Sequence, residues 1–220
     1  MALARESYPY LLAGLAVVAG GAVLGFPYLS GGALVLSGFV AFFFRDPDRE
    51  IPSEAGVVLS PGDGRVVEVR SLPDGAGTRV SIFLSLFDVH INRSPVAGRV
   101  RSVEYRPGRF LPANLSRAAL ENERNELTIE AEIGEIRLTQ IAGVVARRIV
   151  CRKKPGDEVS AGDRIGLIQF GSRLEVVLPP AALPEVSVGT RVKGGTSILA
   201  RVCTPSVGEG ERELAQTNAR

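Results

Sequence analysis

The sequence predicts a mainly β (α+β) domain carried on an N-terminal hydrophobic helical hairpin. Three observations predict it. Residues 7–44 contain no charge, residues after Pro52 fall into short β-branched stretches punctuated by Gly and Pro, and a weak repeat recurs near the C-terminal end.

The uncharged run is too long for one membrane span and slightly short for two, at ~20 residues each. Its middle, Gly25-Phe26-Pro27-Tyr28-Leu29-Ser30-Gly31-Gly32, is rich in turn formers. Two helical arms are therefore expected, over residues 8–24 and 33–44, the second dipping into a bilayer rather than crossing it. Arg5 precedes the run and Arg45 and Arg49 follow it. Cationic flanks on both sides suit an in-and-out hairpin with both ends, and the domain that follows, on the cytoplasmic face of the cell membrane. A cleaved signal peptide would have one short apolar core and a small-residue cleavage site, and this run is too long for that.

Past the hairpin, residues 57–59, 65–69, 79–86, 99–105, 127–131, 135–141, 164–170 and 174–178 read as strands, and only 113–123 reads as a helix of any length. The anchor thus takes residues 1–50, one β domain takes 51–204, and 205–220 form a polar tail. Gly156-x-x-Val159-x-x-Gly162-x-x-Ile165 returns 33 residues later as Gly189-x-x-Val192-x-x-Gly195-x-x-Ile198. Glycines at turns and β-branched residues at inward positions of short strands explain the spacing. The pattern resembles the half-motifs of barrel-sandwich hybrid domains, the architecture of biotinyl and lipoyl carriers. A carrier needs a modified lysine at a hairpin tip. Lys153, Lys154 and Lys193 are the only lysines, none lies in a Met-Lys setting, and the only methionine is Met1.

Composition removes other classes. With 26 Lys+Arg against 24 Asp+Glu the chain lacks the basic excess of a nucleic-acid binder. Cys151 and Cys203 lie far apart without metal-ligand spacing and read as reduced thiols. A single histidine, His90, excludes a His-rich metal site, and any imidazole chemistry must use it.

One segment carries a chemical possibility. Gly171-Ser172 sits between two apolar stretches, 165–170 and 174–178. A serine hydroxyl held against the preceding carbonyl can attack it in an N→O acyl shift, and a glycine there removes the Cβ that would crowd the attack. β-Elimination of the ester then leaves Gly171 as a new C-terminus and a dehydroalanine at 172, which hydrolyses to a pyruvoyl group with loss of ammonia. A pyruvoyl carbonyl forms a Schiff base with a substrate amine and accepts electrons as an α-carboxylate leaves as CO₂.

Several stretches, in order, resemble the phosphatidylserine decarboxylase family. They are Ser60-Pro-Gly-Asp63-Gly64, Phe83-Leu-Ser-Leu-Phe-Asp88-Val-His90-Ile-Asn-Arg93-Ser-Pro95-Val-Ala-Gly98, Asn122-Glu123-Arg124-Asn125, Gln140-Ile-Ala-Gly143-Val-Val-Ala-Arg147-Arg148-Ile149 and Phe170-Gly171-Ser172. The likeness is to the short bacterial and archaeal branch. It implies a proenzyme that cuts itself into chains 1–171 and 172–220, which stay together as a heterodimer, and a pyruvoyl cofactor made from Ser172. It also implies phosphatidylserine as substrate, or a lipid with the same serine head group, and membrane lipids as surroundings. His90 is then expected to protonate the substrate α-carbon after CO₂ departs, and Asp63 matches the aspartate of an Asp-His-Ser set that drives self-cleavage in longer members. Those members have Gly-Ser-Thr at the cut, where this chain has Arg173. They also have a second histidine where this chain has Arg93, which leaves the base for self-cleavage open. Arg147, Arg148, Arg152, Lys153 and Lys154 form a cationic stretch suited to a lipid phosphate or to solvent.

Two other readings compete. A non-catalytic membrane-tethered barrel-sandwich adaptor would be favoured by a long coiled-coil hairpin, which the sequence lacks. A pyruvoyl decarboxylase acting on a soluble amino acid is disfavoured by the anchor. The sequence leaves open whether cut pairs assemble further.

Overall fold

The computed structural model describes residues 2–112, 121–143, 148–169 and 172–202. In chain order the elements are β1 (Ala2–Leu3), α1 (Tyr8–Val23), α2 (Pro27–Phe43), β2 (Arg45–Asp46), β3 (Val57–Leu59), β4 (Gly64–Ser71), β5 (Thr78–Leu84), β6 (Ile91–Arg93), β7 (Gly98–Arg106), β8 (Arg124–Ala131), β9 (Gly134–Ala142), β10 (Ile149–Cys151), β11 (Glu158–Val159), β12 (Arg164–Ile168), β13 (Ser172–Leu178), β14 (Ala182–Pro184), β15 (Arg191–Val192) and β16 (Ile198–Val202). The mainly β reading holds. Most of the expected helix at 113–123 lies outside the described residues.

Eight strands in the order β11-β7-β8-β9-β13-β5-β4-β15 form an antiparallel sheet that curls into a half-barrel. Two three-stranded sheets, β10-β12-β6 and β14-β16-β3, complete the enclosure. Period-2 alternation turns Val66, Ile82, Leu127, Leu138, Leu174 and Val176 inward, all of them fully buried.

The repeat accounts for the sheet edges. Val159 lies in β11 and Val192 in β15, the two strands that end the eight-stranded sheet. The amide of Val100 donates to the Asp157 carbonyl at one edge, as the amide of Val66 donates to the Thr190 carbonyl at the other. The first three glycines of the repeat, Gly156, Gly162 and Gly189, have φ of 95°, 80° and 96°, values at which a Cβ would be strained. Ser60-Pro61 and Ser94-Pro95 extend the duplication, because the amides of Gly195 and Gly162 donate to the Ser60 and Ser94 carbonyls respectively.

The hairpin differs from expectation at its second arm. α2 starts at Pro27, whose fixed φ suits a first helical turn, so the turn is Leu24 to Phe26 and the Gly31-Gly32 pair lies inside the helix. Among the described residues no helix is long and apolar enough to cross a membrane. The open end of the hairpin exposes Val23, Leu24, Phe26 and Tyr28. Its base is packed into the domain: Phe43 and Phe44 are buried with Ala4, Val89, Ile91 and Leu167.

Candidate active site

Ser172 opens β13, the strand held between β9 and β5, in register with Ala142 on one side and Leu84 on the other. Residues directly opposite share a face, so the Ser172 side chain points inward with Leu174, Ile82 and Gln140. It is fully buried, and its Oγ has no hydrogen-bond partner among the described residues. Buried hydroxyls are normally paired, and an unpaired one costs about 1–3 kcal/mol. An orphaned buried hydroxyl in a folded chain calls for an explanation. Phe170 and Gly171 lie outside the described residues.

His90 is buried between β5 and β6. Its Nδ1 is 2.9 Å from the Asp88 carbonyl oxygen, and its ring lies 4.2 Å from the Phe43 ring, tilted by 34°. A carbonyl only accepts, so Nδ1 carries the proton and Nε2 carries the lone pair. Burial lowers the imidazole pKa to about 4, against the opposing pull of the Asp88 carbonyl and carboxylate. At neutral pH the ring is therefore neutral, and Nε2 must take up a proton before it can give one. The linkage has a definite sign. Between the unfolded value of 6.5 and about 4, the unfolded chain binds a proton that the folded chain refuses. Stability present above pH 6.5 is lost as pH falls through that window, by about 2 kcal/mol between pH 7.5 and 5. Thermal melts of a Ser172→Ala chain at those two pH values should show the drop, and His90→Asn in the same chain should remove most of it. An equal drop in both would assign the window to other groups.

Among the described residues no hydrogen bond links the Ser172 hydroxyl to His90, and a row of buried amides runs from the His90 carbonyl into the sheet. Asn92 Nδ2 donates to the His90 carbonyl at 3.3 Å, Gln140 Nε2 to Asn92 Oδ1 at 2.8 Å, and Asn125 Nδ2 to Gln140 Oε1 at 3.1 Å. All three amides are buried, and a chain of satisfied amides in a low-dielectric interior is stiff. Asn122 Nδ2 donates to the carbonyl of Ala142, the strand partner of Ser172, at 2.7 Å. All four amides lie in the stretches that resemble the family; on sequence grounds Asn122 is open between lining the site and capping a helix, and Asn92, Asn125 and Gln140 carry no role. Their signal is Gln140 at an inward position between Leu138 and Ala142, where period 2 calls for an apolar residue.

Asp63 is placed differently. Arg49 Nη2 contacts both its oxygens, at 3.0 and 2.8 Å, and the Gly194 amide donates to Oδ1 at 2.8 Å. The adjacent Gly62 packs so closely that a Cβ there would sit 2.5 Å from Leu174 Cδ1. Asp63 thus ties the chain leaving the hairpin to the turn that rests on β13. Arg93, at the position of the expected second histidine, reaches Asp46 Oδ1 at 3.1 Å and the Pro47 carbonyl at 3.0 Å. It braces the hairpin exit. Of the cationic stretch, Arg147 lies outside the described residues and Arg152 pairs with Glu6 at 2.6 Å. Among the described residues no group of three His, Cys, Asp or Glu side chains could hold a metal.

A family model described as phosphatidylserine decarboxylase matches residues 36–200. A phosphatidylserine decarboxylase proenzyme of Chlorobaculum parvum is 48% identical over 176 residues, covering 78% of this chain and 82% of its own. One from Solibacter usitatus is 46% identical over 192 residues, covering 87% and 93%. One from Ruegeria pomeroyi is 46% identical over 168 residues, covering 72% and 77%.

Proposed function

The chain belongs to the phosphatidylserine decarboxylase family and is a decarboxylase of the proenzyme kind, and from that premise we propose that it converts phosphatidylserine to phosphatidylethanolamine and CO₂ with a pyruvoyl group formed from its own Ser172. The observation that carries this reading is the buried Ser172 Oγ at the start of β13, directly after Gly171, without a hydrogen-bond partner among the described residues.

The steps at Ser172 balance. Oγ adds to the Gly171 carbonyl carbon, the C–N bond breaks, and the hydroxyl proton ends on the freed amine. Loss of the Ser172 Cα proton then expels Gly171 as a carboxylate, and water releases the nitrogen as ammonia. The site fits the resulting group. The inward neighbours Leu84 and Ala142 are apolar and fully buried, so conversion of the hydroxyl to a planar keto group removes the orphaned donor and leaves only an acceptor oxygen there. Once formed, the carbonyl supplies an electron sink for an amine-bearing substrate that loses CO₂. His90, neutral with Nε2 unprotonated, accepts a proton on the way in and returns it to the substrate α-carbon. Asp63 enters as a positioning residue for the turn against Leu174. Chains 1–171 and 172–220 stay together because β13 is a central strand, paired along its length on both sides.

A shallow membrane seat on the cytoplasmic face completes the proposal. At 16 and 17 residues the helices reach ~25 Å, short of a ~30 Å hydrocarbon core, so the hairpin dips in. Arg45 Nη2 donates to the carbonyl of Phe87, which is 72% exposed beside the hairpin base, extending the apolar collar toward the loop that carries His90. A lipid head group is thereby met at the surface without extraction of its chains. Flotation with phosphatidylserine-containing vesicles tests this. Glu at exposed Leu34 and Val35 should abolish flotation while leaving chain splitting intact, and unchanged flotation would refute the seat.

The experiment for the function as a whole is the intact mass of freshly purified, active protein. Two fragments ending and starting at Gly171/Ser172, the smaller blocked by pyruvoyl, are expected. Active protein consisting only of full-length chain would overturn the proposal.

A further inference from the structure

Arg173 follows the nucleophile and points to the opposite face of β13, the outer face of the half-barrel, where an exposed strand residue would be the norm. It is instead only 3% exposed. Its Nη2 donates to Glu68 Oε2 at 2.6 Å and to Ser81 Oγ at 2.8 Å, and lies 2.9 Å from Glu175 Oε1 as an ion pair. Ser81 also donates to Glu175 Oε1 at 3.1 Å, and Arg79 Nε lies 3.7 Å from Glu175 Oε2. Glu68, Ser81 and Glu175 form one row across β4, β5 and β13. The guanidinium therefore grips three strands from one position.

We propose that Arg173 is a positioning residue that locks the register of β13, holding Ser172 in place while the backbone is cut and holding the new chain end in place afterwards. The inference rests on the self-cleavage reading above. The inward residues of β13 are Ser172, Leu174, Val176 and Leu178. A slip of two residues keeps the alternation and replaces one buried aliphatic by another, so the core face resists it weakly. The outer face resists it strongly. The same slip would move Arg173 and Glu175 out of reach of Glu68 and Ser81 and put Val177 opposite Ser81 in the row of Glu68, leaving the half-buried Glu68 and the buried Ser81 without their cation. Buried ion clusters add little net stability compared with apolar packing, so register is the better account of this one. The need is greatest at this strand. Once the bond before Ser172 is broken, β13 has no covalent tether at that end, and only its ladder and this cluster hold the terminus that carries the reacting group.

The test follows splitting of newly made full-length chain by denaturing gel at a temperature where Ser172→Ala/Arg173→Met is folded by its melt. Arg173→Met should split about 10-fold or more slowly, since small misplacements of reacting atoms are costly, and Arg173→Lys, which keeps the cation, should recover most of the rate. Wild-type splitting in Arg173→Met, or a Lys variant as slow as the Met variant, would overturn the proposal. If Arg173→Met does not fold, Glu68→Gln, whose side chain is 23% exposed, replaces it with the same slowing expected and the same rate as wild type overturning. A wild-type chain that never splits would refute the self-cleavage reading itself, a result distinct from any of these.

Discussion

Ser172→Ala should yield a single uncut chain of 220 residues with no measurable decarboxylase activity. The expected loss is total because the substitution removes the attacking atom of self-cleavage and, with it, the only route to the covalent electrophile. The structure adds a second expectation of opposite sign. The Ser172 hydroxyl is buried and unpaired among the described residues, so its replacement by hydrogen relieves a desolvation cost of about 1 kcal/mol or more. Set against the uncut wild-type chain, the alanine variant should melt higher. Mass spectrometry, an activity assay and a thermal melt on one preparation read all three. Splitting that persists in Ser172→Ala would sink the assignment of the nucleophile.

His90→Ala comes next in size. A positioned acid or base contributes 10²–10⁴-fold, and His90 is the only histidine in the chain. Turnover of already-split enzyme should fall by about 100-fold or more. The neutral ring is held at Nδ1 by the Asp88 carbonyl and packed against Phe43, so on the proposed role its removal subtracts chemistry as well as packing. Asp63→Asn is the internal comparison. Its carboxylate is engaged by Arg49 and the Gly194 amide, so the variant should lose stability and some rate, far less than His90→Ala. A turnover defect in Asp63→Asn equal to that of His90→Ala would reverse the two assignments, and wild-type turnover in His90→Ala would remove it from the mechanism.

Much of the fold was legible because its signals are local. Strand alternation at 135–141 and 174–178 reports burial directly, and the glycine spacing of the repeat reports turns that only glycine makes cheaply. The edge strands β11 and β15 were legible only as a repeat, since two-residue strands carry no period of their own. The start of α2 was misplaced because Pro27 and Gly31-Gly32 read as turn formers, whereas proline is at home in a first helical turn and two exposed glycines weaken a helix without breaking it.

For the site, residue order was enough to pick out candidates for chemistry: the Gly171-Ser172 bond, the lone His90, Asp63 within its glycine turn, and an apolar hairpin ahead of a β domain. These follow from residue type and short-range order. The folded chain alone reveals that the Ser172 hydroxyl has no partner among the described residues, that His90 is buried against Phe43 of the hairpin, that Asp63 is paired with Arg49, and that Arg173 is fastened to Glu68. Each depends on what a side chain meets from a strand or helix far away in the chain. Burial and hydrogen-bond partnership arise from long-range strand pairing, which residue order alone does not encode locally.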